Sequence, residues 1–122
     1  MATGGTAGLI EQAVRRFQEE VPALAKLKLV FELELRGRGD VQMFRVQVPG
    51  PKISKEVASD ARATVEITRS HFNELAAEGT ARHYREAFEQ GHIKATGDPN
   101  VLKLIGQVVE RHEQRTQTKK VH

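Results

Sequence analysis

A chain of 122 residues without a single cysteine can form neither a disulfide framework nor a thiolate metal centre, and its length fits one domain with one core. Its 19 lysines and arginines are interleaved with 16 acidic residues, so the net charge of +3 describes a solvated surface rather than a polyanion-binding face. No apolar run reaches the ~20 residues that cross a bilayer, and the small, polar start lacks the basic-then-apolar order of a secretory signal, so a cytoplasmic location is expected.

Residues 1–8 are small and glycine-rich and are expected to be disordered. From Leu9 onward Ile10, Val14, Phe17 and Val21 recur at steps of four, three and four, which predicts an amphipathic helix. Pro22, lacking an amide proton, ends it. Leu27, Leu29, Phe31, Leu33 and Leu35 alternate with mostly polar neighbours and predict a strand. Arg36 to Asp40 reads as a turn, and Val41 to Val48 as a second strand. The apolar side of that strand changes between Met43 and Phe44, so a bulge or local twist is expected there. After Pro49-Gly50-Pro51, a short third strand is expected over Lys52–Val57, and Ala61, Ala63, Val65 and Ile67 mark a fourth. Ser70 is the expected cap of a short helix carrying Phe72, Leu75 and Ala76, which Gly79 closes. Thr80 then opens a helix whose face holds Tyr84, Ala87 and Phe88.

The run from Ala87 to Asp98, AFEQGHIKATGD, is the most informative stretch. Gly91 can take a left-handed C-terminal cap, Ile93 and Ala95 alternate as in a fifth strand, Gly97 turns the chain, and Asp98-Pro99 opens a last helix. That helix is expected to reach about Gln114, with Val101, Leu104, Ile105 and Val108 on one side, widened by Leu102 and Val109. Strands and helices are segregated, as in an α+β domain.

Reactive constellations are scarce. The five histidines (71, 83, 92, 112 and 122) include no pair at the three- or four-residue spacing that joins two ligands on one helix face, so no metal site is expected. No serine lies in a G-x-S-x-G elbow, and Gly37-Arg38-Gly39 lacks the third glycine of a dinucleotide fingerprint. Arg38-Gly39-Asp40 is read as a hairpin turn. Aromatic residues lie mostly on apolar faces, with only Phe44, near Arg36 and Arg45, placed to stack on a base, so nucleic acid is not an expected partner. Neither a catalytic residue nor a cofactor is expected.

The Ala-Phe pair, the glycine, the Ile-Lys strand and the Gly-Asp turn of residues 87–98 resemble the signature of the sterol carrier protein-2 family. Ala63 to Ser70, ATVEITRS, resembles that family's strand followed by a capping serine. The likeness covers about Leu9 to His112. It departs from the family at the second strand, which has no tryptophan, and at Arg62, where an acidic residue often precedes the fourth strand. The resemblance implies a five-stranded, mostly antiparallel sheet covered on one face by four or five helices, with an apolar tunnel between the layers. It divides the chain into a disordered N-terminus (1–8), a lipid-binding domain (9–112) and a basic C-terminal tail (113–122).

By the same resemblance, Leu29, Phe31, Phe44 and Val46 would form the sheet wall of the tunnel. Phe72, Leu75, Tyr84, Phe88, Ile93, Leu102 and Ile105 would complete the lining, Tyr84 offering a hydroxyl to a head group. The implied function is non-catalytic, reversible sequestration of a sterol, fatty acyl or similar apolar ligand. Burying sixteen methylenes is worth roughly 12 kcal/mol gross, from which ordering is subtracted. The alternative is an accessory or dimerisation module beside an enzyme of hydrophobic substrates. The basic tail (Arg111, Arg115, Lys119, Lys120) would allow transient contact with anionic membrane surfaces.

Overall fold

The computed structural model describes residues 5–120, the side chains of 78 and 116–120 excepted. Helix α1 (Gly5–Glu20) begins four residues ahead of the expected start at Leu9. Gly8 is buried and Ala7 and Leu9 pack against the core, so burial carries the helix through residues of weak propensity. Residues 1–4 of the N-terminus expected to be disordered lie outside the described residues. A 3₁₀ helix (Pro22–Lys26) follows, with Pro22 in its first turn and Val21 buried ahead of it.

Strands β1 (Leu29–Arg36) and β2 (Val41–Val48) form an antiparallel hairpin whose pairing runs unbroken from Leu29 opposite Val48 to Arg36 opposite Val41. The expected bulge at Met43 and Phe44 is therefore absent. Phe44, Val46 and Val48 share the core face, while Val41 and Met43 sit on the open face, 45% and 50% exposed. The apparent change of side came from apolar residues on the solvent face.

Strand β3 is only Lys52–Ser54, pairing with β2, and Val57, expected within it, is 88% exposed. The chain leaves the sheet edge there to cross to the far side of β1. Asp60 bound to Arg45 at 2.6 Å and the Arg62 amide donating to the Val30 carbonyl at 2.8 Å hold that crossover. Strand β4 (Ala63–Thr68) then runs parallel to β1, and β5 (Ile93–Gly97) antiparallel to β4. The order β3-β2-β1-β4-β5 is a mostly antiparallel sheet with one parallel pair, in an α+β architecture.

Helices α2 (Arg69–Glu78), α3 (Ala81–Glu89) and α4 (Pro99–Lys120) complete the fold. Thr68, rather than Ser70, caps α2: its Oγ1 accepts the His71 amide at 3.3 Å, because the strand ends extended at Thr68. Helix α4 runs well past Gln114 to Lys120, so the expected tail continues as helix as far as it is described. Leu33, Leu35, Phe44, Val46 and Ile67 of the sheet meet Ile10 and Ala13 of α1, Phe72, Leu75 and Ala76 of α2, and Ala87 of α3 in one core.

Helix α1 also secures the α2–α3 junction. Arg16 donates to the carbonyl of Ala76 at 2.8 Å, near the negative end of α2, and Glu20 Oε1 accepts the first amide of α3, Ala81 N–H, at 2.7 Å. Glu20→Ala is expected to lower stability by about 1 kcal/mol, read as a shifted urea midpoint at constant m-value. No shift would mean that water caps Ala81 equally well.

Candidate functional site

Helix α4 stands outside the core formed by α1, α2 and α3; it lies against the 3₁₀ helix and β5. Under its first turns is a half-open cavity of about 110 Å³, bounded by Leu27, Lys28 and Leu29 on one side and by Arg62, Val101, Leu104 and Ile105 on the other. The 3₁₀ helix sets Leu27 and Leu29 there, because it delivers the chain to the end of the sheet directly below α4. Val101, Leu104 and Ile105 follow helical spacing and so share one face.

Asp98 fastens the start of α4. One carboxylate oxygen accepts the Asn100 amide at 2.9 Å, and the other accepts from Arg62 Nη2 at 2.7 Å. The Arg62 guanidinium foremost, and then the Asn100 amide, hold this carboxyl below the usual aspartate range. The Asp98 amide also donates to the Arg62 carbonyl at 2.9 Å, continuing the β4–β5 ladder. Farther along, Arg85 of α3 bridges Glu89 at 2.8 Å and Glu113 of α4. Between these two attachments Val109 is buried, but Leu104 is 45% exposed. Exposed ion pairs contribute ~0–1 kcal/mol each.

A second, filled depression lies among α1, α2 and α3, where Phe17 meets Tyr84 edge-on at 5.2 Å between ring centroids. Burial pushes the Tyr84 hydroxyl up to about 12, partly opposed by Arg16. Its folded value lies above the ordinary ~10, so the associated stability is complete below pH ~10 and is lost as pH rises toward 12. Tyr84 is the only tyrosine and there is no tryptophan, so tyrosinate absorbance reads it directly. The folded protein is expected to titrate near 12 and the urea-unfolded chain near 10. Equal midpoints would show that the ring is solvated.

The residues singled out from the sequence fall into distinct places. Phe44, Val46, Phe72 and Leu75 are buried in the main core, and Phe31, Tyr84 and Ile93 pack against it. Leu29 and Ile105 come together at the cavity, while Leu102 is half-buried on α4 and Phe88 is 52% exposed on α3. Leu27, Lys28, Arg62, Val101 and Leu104 join Leu29 and Ile105 there without having been marked as lining. Val101 and Leu104 carried a signal in the helical stripe. The cations carried none, since their position depends on how the crossover meets the 3₁₀ helix.

The open volume thus lies at the end of the sheet, under α4. At about 110 Å³ it is below the ~300–1,000 Å³ of ordinary small-molecule sites. Elsewhere, the rings of His71 and His92 stack at 4.5 Å, and no metal-holding cluster of three or more His, Asp or Glu residues occurs among the described residues. No helix there is long and apolar enough to cross a membrane.

Residues 10–110 match the profile of the SCP-2 sterol transfer family. None of the curated proteins matches this sequence. Among solved structures, the palmitated SCP2L2 of Aedes aegypti is similar at a TM-score of 0.57 and 20% identity, over 82% of this chain and 93% of that one. The UbiJ-SCP2 ubiquinone synthesis protein is similar at 0.54 and 22%, over 88% and 94%. Part of the sec-alkylsulfatase Pisa1 from Pseudomonas sp. is similar at 0.54 and 16%, over 85% of this chain but 15% of the enzyme. At these identities the likeness is one of fold.

Proposed function

The chain belongs to the SCP-2 sterol transfer family, and from that premise we propose that it is a non-catalytic carrier that takes up one sterol, fatty acyl or similar apolar ligand beneath α4. The observation that carries this reading is the apolar cavity of Leu27, Leu29, Val101, Leu104 and Ile105 under a helix that stands outside the main core. Moving α4 away exposes that face, and an apolar ligand covers it again at about 0.8 kcal/mol per methylene buried. Release is the reverse step, so the helix serves as a lid. Native mass spectrometry of freshly purified protein, followed by organic extraction, tests the reading. A stoichiometric lipid adduct supports it; bare protein that also takes up no lipid from vesicles overturns it.

The basic end of α4 places Arg115, which is exposed, in sequence with Lys119 and Lys120 on the described helix. Each cation near an anionic bilayer adds about 1 kcal/mol. Replacing all three by glutamine is expected to slow uptake from anionic vesicles by roughly tenfold or more and to leave uptake from neutral vesicles unchanged. Equal effects on both vesicle types would remove the membrane role of this segment.

A second reading, an accessory module beside an enzyme of hydrophobic substrates, is favoured by the likeness to a small part of an alkylsulfatase and by the continuation of α4 beyond residue 110, where the family match ends. It predicts a mass that rises with concentration and no bound lipid.

A further inference from the structure

Nothing in the packing of α4 calls for glycine at position 106, the eighth of its 22 residues. The position is exposed, its φ is not positive, and a Cβ placed on it would meet nothing within 4 Å, so alanine fits there as well. Relative to alanine, glycine shifts a helical residue toward coil by roughly two- to fivefold. The parts of α4 on either side of it are held differently. Residues 99–105 begin with Pro, Asn and Val, have no acidic residue in the first turn, and set Val101, Leu104 and Ile105 over the cavity, with Leu104 45% exposed. Side chains that face open volume forfeit the contacts a filled core would give them. Beyond Gly106, Val109 is buried and Glu113 is bound by Arg85. The residue that weakens the helix thus falls where its packing changes.

We propose that Gly106 is a joint: residues 99–105 form a cover of about two turns that unwinds to open the cavity, while α4 from residue 107 onward stays helical as its anchor. The proposal rests on the carrier reading and names the part of the lid that moves. Unwinding is the motion that the attachments allow. At one end the Asp98 amide is bonded to the Arg62 carbonyl at 2.9 Å, and at the other Glu113 is bound to Arg85, so a rigid helix between them cannot lift. Seven helical residues span about 10 Å, whereas the same seven extended reach about 23 Å, which is slack enough to clear the cavity. Residue 106 turns to coil as the cover opens, and that is the step glycine favours. Buried Val109 stops the unwinding from running on along the helix.

The test compares the full chain with its Gly106→Ala variant, first without lipid. Amide hydrogen exchange at residues 102–105 is expected to be faster than at residues 111–113, and alanine to slow the first group by roughly two- to fivefold and leave the second unchanged. Transfer of a pyrene-labelled hexadecanoate from phosphatidylcholine vesicles is then followed in both directions. Alanine stabilises the closed helix alike with and without lipid, so uptake and release are expected to slow by the same roughly two- to fivefold factor at unchanged Kd. A merely structural effect of the methyl group would not slow both rates equally. Uniform exchange along α4, or exchange at 102–105 that alanine leaves unchanged, overturns the joint. Slower exchange with unchanged transfer rates overturns unwinding of this segment as the route of entry. A changed Kd with one rate unaltered places the effect in the bound state and overturns gating. Failure of the unsubstituted protein to take up the probe overturns the carrier reading, while the lipid-free exchange pattern decides separately whether α4 is divided at Gly106.

Discussion

Gly97→Ala is expected to destabilise the protein by about 2–5 kcal/mol, one of the two largest effects of a single substitution anticipated here. Gly97 has φ +129°, a region essentially reserved for glycine, and a Cβ placed on it would come within 2.6 Å of the Arg62 carbonyl oxygen and 2.7 Å of Ala63 Cα. Strained backbone at such an angle costs ~1–3 kcal/mol, and the backbone clash adds a comparable amount because neither carbonyl nor Cα can rotate away. The damage reaches the site. Gly97 pairs with Ala63 at the end of β4–β5, and the next residue is Asp98, so forcing the strands apart also separates Asp98 from Arg62. Gly91→Ala is the matched control. Its φ is +86° but nothing lies within 4 Å of the added methyl, so only the left-handed penalty of about 1–2 kcal/mol applies. Urea unfolding followed by far-ultraviolet circular dichroism compares the two. Equal losses would mean that the approach of β5 to Arg62 is loose and that the start of α4 is not fixed by it.

Phe44→Ala is expected to cost about 3–5 kcal/mol. The ring is 2% exposed at the centre of the main core, opposite Leu33 in the β1–β2 register, with Lys55 Nζ 5.6 Å from its centroid. Removing it leaves a cavity walled by strands on one side and helices on the other, and neither layer can close over it without breaking sheet pairing. The neighbouring Met43→Ala, on the open face at 50% exposure, is expected to change stability by less than about 0.5 kcal/mol. The pair tests which face of β2 is the core face. Comparable losses would place Met43 inside.

Much of the fold was legible because it is written in local chemistry. Alternation in Leu29–Leu35 and Ala63–Ile67, the proline after α1 and the Gly91 and Asp98-Pro99 punctuation each depend on neighbours within a few residues. The errors share a cause. Helix α1 starts at Gly5 because Ala7 and Leu9 pack on distant residues, and β2 runs without a bulge because Val41 and Met43 lie on an uncovered sheet face. The cap of α2 fell on Thr68 because β4 keeps that residue extended by pairing it with Arg36 of β1.

The sequence by itself determined an α+β domain without cysteine chemistry, its element order, and four or more apolar helix faces seeking a single sheet, since these follow from side-chain period, capping residues and composition. Only the tertiary structure decided which stripe was consumed by the core and which was left over. Packing α1, α2 and α3 onto the sheet closes Phe44, Val46, Phe72 and Leu75 against one another, whereas α4 rests at the sheet's end with Leu104 still exposed. Periodicity reports that a face is apolar but carries no information on the distance to whatever covers it. That Lys28 and Arg62, 34 residues apart in the chain, border one cavity is decided by the crossover that returns β4 alongside β1, a long-range pairing that no local pattern encodes.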